Sequence, residues 1–299
     1  MVEVIKPMER RWARNRMVMG LPFSIHLRGQ FEQAAAEAAV AEVWRELEEV
    51  DRIFSTYRED SDISLINAGR LTPDGAHPEV SVVLDLAEHA RLLTGGAFDV
   101  RFSGLLDPSG VVKGWAAERA ADHLLNLGCD FYLNAGGDIL AAATDPARPW
   151  VLGIEHPTVA GALLAVVSLG NGALATSGSN HRGDHIIDPA SGLPQTRVRQ
   201  VSVIGPTLLW ADILATAATV GGPDSIPAGN WLADHEALFV GVDGTVCATT
   251  GLTDLLAAGQ IAPVIDRIIP PSGGKVATDG VTATGGTFLR CDWLVTGQT

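Results

Sequence analysis

The sequence contains few cysteines and no long hydrophobic run. Cys129, Cys247 and Cys291 are far apart and form no CxxC pair, so we expect neither a disulfide framework nor a zinc site. No segment approaches the roughly 18 consecutive apolar residues of a membrane-spanning helix. The charged N-terminus lacks the apolar core of a signal peptide. We therefore expect a cytoplasmic protein with reduced thiols and no membrane span.

Basic tracts and the standard nucleotide-binding motifs are also missing. The chain has 35 acidic and 21 basic residues, for a formal net charge of −14. Because no basic tract is present to neutralise phosphates, we do not expect nucleic-acid binding. Neither a GxGxxG fingerprint nor a P-loop occurs. A phosphate-bearing ligand would therefore need a metal ion, backbone amides or a few well-placed cations.

Hydrophobic periodicity indicates an α+β fold in one domain, with room for two lobes. Apolar faces and stop signals predict four main helices, at residues 31–54, about 79–93, 111–128 and 207–219. Short apolar runs predict strands in the second half and a hairpin turning at Asp243-Gly244. Residues 17–28 are predicted as one strand interrupted by Gly20 and Pro22. The domain is expected to cover residues 1–265, followed by a turn-rich extension over 266–299.

Several segments place glycine beside Asp, Ser or Thr at strand ends. They are "TGGAFDV" (94–100), "LDPSGVVKGWA" (106–116), "NAGGDI" (134–139) and "ATSGSNHRGDHIIDPASG" (175–192). Glycine lets the backbone approach a ligand closely and lets successive amides converge on an anion. Each segment taken alone is equally compatible with an ordinary turn. Gly136-Gly137 is the best candidate for a purely structural close approach.

Two charged side chains in these segments are candidates for phosphate chemistry. Lys113 stands near the start of a predicted helix, where an ammonium and the helix N-terminus can both meet a phosphate. Alternatively, it is a solvated surface charge. His185 in "HIIDP" is a candidate general base with Asp188 as the group that orients it. The alternative makes both of them ordinary polar strand residues.

Asp212 and Thr216 lie one turn apart in the apolar helix "LLWADILATAAT". This spacing puts both side chains on one helix face. A carboxylate and a hydroxyl are hard oxygen ligands of the kind that Mg²⁺ binds. By itself the spacing favours the alternative, in which Asp212 caps the helix and Thr216 bonds back to its own backbone.

Taken in order, the segments resemble the ApbE family of FAD:protein FMN transferases over about residues 17–220. "MVMGLPFSI" is similar to the opening Met-Gly-Thr strand of the family, and "FSTYREDSDISLIN" to its Phe-Ser-x-Tyr loop and the helix after it. "TGGAFDV" matches the family's Thr-Gly-Gly-Ala-Phe-Asp, and "NAGGDI" is identical to the family form. "LDPSGVVKGWA" resembles Asp-Leu-Gly-Gly-Ile-Ala-Lys-Gly-Tyr-Ala, and "ADILATA" resembles Ala-Asp-x-x-x-Thr.

The resemblance implies an α+β domain with mixed or antiparallel sheets and flanking helices. It also implies a Mg²⁺-dependent enzyme that cleaves the FAD pyrophosphate, attaches FMN to Thr or Ser of an acceptor protein and releases AMP. The acceptor would carry an Asp-x-x-Ser/Thr-Gly-Ala-Thr-like segment. Two alternatives stay open: an FAD pyrophosphatase that gives FMN and AMP, and a non-catalytic FAD-binding protein.

The resemblance also assigns residues. It implies that Asp212, Thr216 and the Gly110 carbonyl bind Mg²⁺, that His185 is the base and that Lys113 steadies a phosphate. The implied FAD contacts are Met19, Tyr57, Ala97, Phe98, Asp99, Asp107, Lys113 and Ile187.

The sequence departs from the family pattern near the flavin pocket. Asp184 stands where the family often has a first histidine, and Ser179-Asn180 replaces Asp-Tyr. Val100-Arg101 replaces Pro-Thr, and Asp107-Pro108-Ser109 replaces Asp-Leu-Gly. These changes affect the expected pocket more than the expected metal site.

Overall fold

The structure is a computed structural model that describes residues 10–178, 186–226, 232 and 234–269. Helices and strands are mixed along the chain, as the sequence predicts. No described helix is long and apolar enough to cross a membrane. Residues 270–299 lie outside the described residues, so the predicted boundary at residue 265 stays a prediction.

One large sheet forms the centre of the described fold. The strands, in chain order, are β1 (Arg10–Val18), β2 (Leu21–Gly29), β3 (Asp130–Ala135), β4 (Asp138–Ala142), β5 (Trp150–Glu155), β6 (Leu163–Leu169), β7 (Gly172–Gly178), β8 (Ile187–Asp188), β9 (Leu193–Pro194), β10 (Val198–Gly205), β11 (Glu236–Gly241), β12 (Val246–Thr249) and β13 (Arg267–Ile269). In the described part of the chain the sheet has nine strands in the order β1-β2-β3-β4-β7-β10-β11-β12-β13. Its pairs are antiparallel except for the parallel pair β12–β13. The pairs β5–β6 and β8–β9 stand apart from it.

The helices agree with the sequence-based prediction to within about two residues at most ends, the usual uncertainty of a helix boundary. They are α1 (Gln33–Phe54), α2 (Asp62–Asn67), α3 (Pro78–Leu93), α4 (Ser109–Leu125), α5 (Leu208–Gly221) and α6 (Leu252–Leu255). The predicted stops are glycines in the left-handed region: Gly95 and Gly96 follow α3, and Gly128 follows α4.

Hydrophobic residues fill both faces of the central sheet. Because side chains alternate along a strand, Ala173 and Ala175 of β7 belong to the core on the helical face, whereas Leu174 belongs to a second cluster. The helical core includes buried residues of α1, α3, α4 and α5. The second cluster packs the β5–β6 hairpin and α6 against the opposite face. The sheet is therefore the middle layer over part of its width.

The first strands correct one expectation, because residues 17–28 are not a single interrupted strand. β1 ends at Val18 and β2 begins at Leu21, and the two pair as an antiparallel hairpin. The turn between them consists of Met19 (φ 54°) and Gly20 (φ 69°). Two positive φ values are typical of a two-residue type I′ hairpin turn. Methionine is uncommon in that conformation, which is why the pattern did not reveal the turn.

A second glycine turn lies beside the first. β3 and β4 are joined by Gly136 (φ 66°) and Gly137 (φ 112°). A Cβ at Gly136 would be 3.2 Å from the Leu21 side chain, which confirms the predicted close approach. The β1–β2 and β3–β4 turns therefore lie together at one end of the sheet.

Two of the three cysteines fall in the described residues. Cys129 and Cys247 are both buried and free, as expected of reduced thiols, and Cys291 lies outside the described residues. Burial raises the pKa of Cys129 to about 11. Its thiol is therefore protonated at neutral pH, in keeping with a packing role.

The tightest contact between helices lies where α4 meets the start of α5. A Cβ added at Gly114 would be 2.7 Å from the Leu209 Cα and 2.8 Å from the Leu208 carbonyl oxygen. Real Cβ atoms do not come that close to backbone, so α5 can rest on α4 only because residue 114 has no side chain.

We expect Gly114→Ala to destabilise the protein although alanine favours helices by about 1 kcal/mol over glycine. Overpacking against backbone should outweigh that gain and leave a net loss of about 2 kcal/mol or more. Denaturant unfolding followed by circular dichroism measures the difference. Gly170→Ala is the control, since no atom lies within 4 Å of a Cβ there. Equal stability of the two variants would contradict the close approach.

Candidate functional site

Lys113 lies between two carboxylates that come from distant parts of the chain. Its Nζ forms ion pairs with Asp138 at the start of β4 and, at 3.0 Å, with Asp212 Oδ1 on α5. Both carboxylate side chains are 4% exposed. Burial by itself lowers the pKa of Lys113, but Asp138 and Asp212 raise this pKa above its ordinary value. Lys113 therefore stays positively charged. It is not a solvated surface residue, as the alternative interpretation of the sequence had it.

Asp138 is a site residue that the sequence analysis did not assign, although it lies within "NAGGDI". Its Oδ1 accepts a hydrogen bond of 2.9 Å from the Thr176 amide of β7, and the Thr176 hydroxyl lies 2.8 Å from the Ser202 hydroxyl of β10. The neighbouring strand β7 thus holds this carboxylate in place through the Thr176 amide. A carboxylate heading the apolar strand "DILAA" was the available signal, because such a group is seldom buried without partners.

Asp212 is not a helix cap. The N-cap of α5 is Thr207, so Asp212 lies in the helix interior, where it is 3% exposed. That finding makes the capping alternative wrong. Thr216, one turn later, has its hydroxyl 3.1 Å from the hydroxyl of Ser177 at the end of β7. The structure therefore places the Asp212 carboxylate next to Lys113 and the Thr216 hydroxyl next to β7.

Glu118 caps α5 from a different helix and was missed by the sequence analysis. Its Oε1 accepts a hydrogen bond of 2.5 Å from the Leu208 amide, the first of α5. Burial raises the pKa of Glu118 to about 7, while the Leu208 and Leu209 amides act to lower it. Local capping rules consider only residues next to the helix, so they do not reveal a cap supplied from 90 residues earlier.

The loop before α4 brings Phe98 against Gly110. A Cβ at Gly110 would be 3.1 Å from the Phe98 ring, so glycine lets this buried ring lie on the first turn of α4. Thr94 shapes the loop, since its hydroxyl donates to the Ala90 carbonyl at 2.8 Å and accepts from the Phe98 amide at 3.1 Å. A predicted FAD contact, Phe98, and a predicted metal ligand, Gly110, are thus adjacent in space.

The two loop carboxylates predicted to contact FAD make local hydrogen bonds. Asp99 Oδ1 accepts from the Arg101 amide at 2.8 Å, and Asp107 Oδ1 accepts from the Ser109 amide at 3.1 Å. Ala97, Asp99 and Asp107 are half-buried. Their contacts fix the loop around the start of α4.

The other predicted contacts lie on separate elements. Tyr57 is 95% exposed in the loop after α1, and Met19 occupies the left-handed position of the β1–β2 turn. Ile187 is half-buried on β8. His185 lies outside the described residues. Asp188, offered as its orienting partner, accepts from the Ala190 amide at 2.9 Å and from the Ser191 hydroxyl at 3.0 Å, which are the contacts of a turn.

The donor chemistry fits a hard divalent cation. Asp212 would offer a carboxylate, Thr216 a hydroxyl and Gly110 a backbone carbonyl, all oxygen groups of the type Mg²⁺ binds. Around Lys113, two carboxylates face one ammonium. The described residues contain no cluster of three or more His, Cys, Asp or Glu side chains. A cation here would therefore depend on hydroxyl, carbonyl and substrate oxygens as well as on Asp212.

Comparison with known proteins identifies relatives of this chain. The model of the ApbE family matches residues 19–107 and 101–239. A Vibrio cholerae protein named FAD:protein FMN transferase is 28% identical over 267 residues, covering 69% of this chain and 80% of the relative. A Haemophilus influenzae protein of the same name is 34% identical over 132 residues, or 40% of this chain and 38% of the relative.

Solved structures show the same fold. A mutant of the flavin transferase ApbE from Vibrio cholerae matches with a TM-score of 0.72 at 24% identity, covering 83% of this chain and all of that one. The ApbE protein of Thermotoga maritima matches with a TM-score of 0.73 at 20% identity and covers 83% of this chain. The predicted single α+β domain with mixed sheets and flanking helices is confirmed.

We expect Lys113→Met to destabilise the metal-free protein by about 3 kcal/mol at pH 8, because it leaves buried carboxylates without their ammonium. Chemical denaturation in EDTA at that pH measures it. Arg45→Met removes an exposed ion pair with Glu42 and should change the stability by about 0.5 kcal/mol or less. Equal losses of unfolding free energy in the two variants would show that the buried ion pairs contribute no more to stability than an exposed one.

Proposed function

Since the chain belongs to the ApbE family, we propose that it is a Mg²⁺-dependent FAD:protein FMN transferase. The observation that carries this proposal is the meeting of Lys113, Asp138 and Asp212, with Thr216 one turn beyond Asp212. These residues come from three separated motifs, and they provide charge and oxygen ligands in one place. That combination suits a substrate containing a pyrophosphate.

The proposed reaction transfers the FMN half of FAD. A Thr or Ser hydroxyl of the acceptor protein attacks the phosphorus of the FMN phosphate. The new P–O bond forms as the bond from that phosphorus to the AMP oxygen breaks, so FMN is attached by a phosphoester and AMP leaves. His185 is the proposed base that receives the hydroxyl proton. Such reactions depend mainly on positioning and on stabilising charge.

The metal site is proposed to use Asp212, Thr216 and the Gly110 carbonyl. When bound, Mg²⁺ would offset the charge on the pyrophosphate oxygens. Lys113 contributes a fixed positive charge beside Asp212, and Asp138 pairs with the same ammonium. Lys113 also lies in the first turns of α4, where the helix N-terminus favours an anion.

The flavin and adenine rings are proposed to contact the remaining family positions. Ala97, Phe98, Asp99 and Asp107 form the loop that leads into α4. Tyr57 presents an almost fully exposed ring, and an exposed aromatic surface suits stacking on a flat heterocycle. Met19 and Ile187 complete the proposed set. The acceptor is proposed to present an Asp-x-x-Ser/Thr-Gly-Ala-Thr-like segment.

The deciding experiment incubates the protein with FAD and Mg²⁺, with and without a domain bearing such a segment. We expect covalent flavin fluorescence on the acceptor that survives denaturation, because a positioned hydroxyl competes well with water. Asp212→Ala should abolish labelling while the protein stays folded, since it removes a metal ligand. Thr219→Ala is the control: that hydroxyl donates to the Ala215 carbonyl within α5 and is not a proposed ligand.

Other outcomes separate the alternatives. Rapid release of FMN and AMP with an unlabelled acceptor would identify a pyrophosphatase, and tight FAD binding without either product would identify a binding protein. Normal labelling by Asp212→Ala at ordinary Mg²⁺ concentration would remove Asp212 from the metal site.

Tyr57→Ala should weaken FAD binding by about 1–3 kcal/mol, the range for loss of a stacked base on an aromatic ring. Tyr57→Phe, which keeps the ring, should bind FAD nearly as well as the wild type. Titration followed by flavin fluorescence provides both affinities. An unchanged affinity in the alanine variant would show that the exposed ring serves another purpose.

A further inference from the structure

One line of contacts between α4 and α5, here called the seam, runs from the candidate site to the start of α5. Lys113 on α4 pairs with Asp212 on α5. Further along α4, Gly114 lies against Leu209, and Glu118 binds the Leu208 amide. The numbers rise on one helix and fall on the other, so the two helices run antiparallel. Glu118 lies at the opposite end of this seam from Lys113.

Glu118 is well suited to fix the position of α5 along the seam. The first amides of a helix have no partner within it. The residue that would ordinarily bind them, Thr207, makes no side-chain cap. Glu118 accepts from the Leu208 amide instead. The start of α5 is thereby tied to α4 rather than to its own preceding loop.

Gly114 lets the backbones of α4 and α5 pack closely next to the Glu118 contact. Because the α5 backbone would lie 2.7 Å from a Cβ at Gly114, the two helices lie closer together here than any side chain at residue 114 would allow. Sliding by one residue would displace Asp212 by about 1.5 Å along the axis. A shift of that size would change the geometry of the 3.0 Å ion pair between Asp212 and Lys113.

We propose that Glu118 is a positioning residue for the metal and phosphate site: by binding the first amide of α5, it sets where Asp212 and Thr216 stand relative to Lys113. Glu118 does not touch the reacting atoms in this role. The proposal rests on the metal assignment of the proposed function, and it adds a residue that acts through the helix.

Side-chain length, rather than charge alone, should decide the effect. Glu118→Gln keeps the length and one accepting oxygen, so it should preserve the site. Glu118→Asp keeps the charge but withdraws the carboxylate by about 1.5 Å, one carbon–carbon bond, and should draw α5 along the seam or lose the cap. Asp122→Asn is the control, because Asp122 is an exposed carboxylate one turn further along α4.

The test measures Mg²⁺ affinity by calorimetry at a fixed concentration of ADP, which supplies a pyrophosphate without turnover. We expect Glu118→Asp to weaken Mg²⁺ binding by about 10-fold or more, as for loss of a residue that orients a metal ligand. Glu118→Gln and Asp122→Asn should stay within about 3-fold of the wild type. A thermal melt of each variant separates this effect from general instability, which would lower the melting temperature without changing Mg²⁺ affinity.

Several results would overturn the proposal. One is unchanged Mg²⁺ affinity in a folded Glu118→Asp variant. Another, which needs no variant, is rapid hydrogen exchange at the Leu208 amide of the wild type, since the proposed cap must protect it. A wild type that binds no Mg²⁺ would overturn the metal assignment as well. A wild type that binds Mg²⁺ but leaves FAD intact would overturn only the proposed transferase activity, and the comparison of variants would still decide the role of Glu118.

Discussion

The ammonium of Lys113, held between two buried carboxylates, is the interaction on which the rest of the site depends. It joins α4, α5 and the first residue of β4, three elements from separate parts of the sequence. A buried ion pair of this kind adds little net stability, because desolvation offsets the attraction. Its effect is one of specificity: other packings of α5 against α4 would leave a charge buried without its counterpart. The groups that define the packing are also those best suited to a charged substrate.

Part of this arrangement is visible in the sequence. The i, i+4 spacing of Asp212 and Thr216 in an apolar helix indicates that both oxygens share one face, and the structure places that face against β7. Left-handed glycines mark the ends of α3 and α4 because only their backbone tolerates that conformation easily. Such features are local, so a single stretch of sequence contains them. The family resemblance extends the reading, since it places separated motifs in one site before any contact is known.

The contacts that the sequence did not reveal are those made across the fold. In "AAERAADH", Glu118 has the appearance of an ordinary solvated helix residue, and only the position of α5 shows that it binds another helix. Asp138 follows two glycines in what looks like a simple turn, and its burial depends on β7 and α4. The hairpin at Met19-Gly20 was missed for a different reason. There the surrounding strands impose a backbone conformation that methionine does not prefer.

One of the two outermost described strands, β1, has consequences beyond the site. It ends the sheet, and an exposed edge offers backbone groups to which another chain can pair. Its sequence "RRWARNRMV" contains four arginines and no acidic residue. Two of them, Arg14 and Arg16, reach Glu37 and Glu48 on α1. If two copies met edge to edge at β1, like charges would be brought together across the new ladder. The same strand that completes the sheet therefore discourages the growth of a continuous sheet through neighbouring molecules.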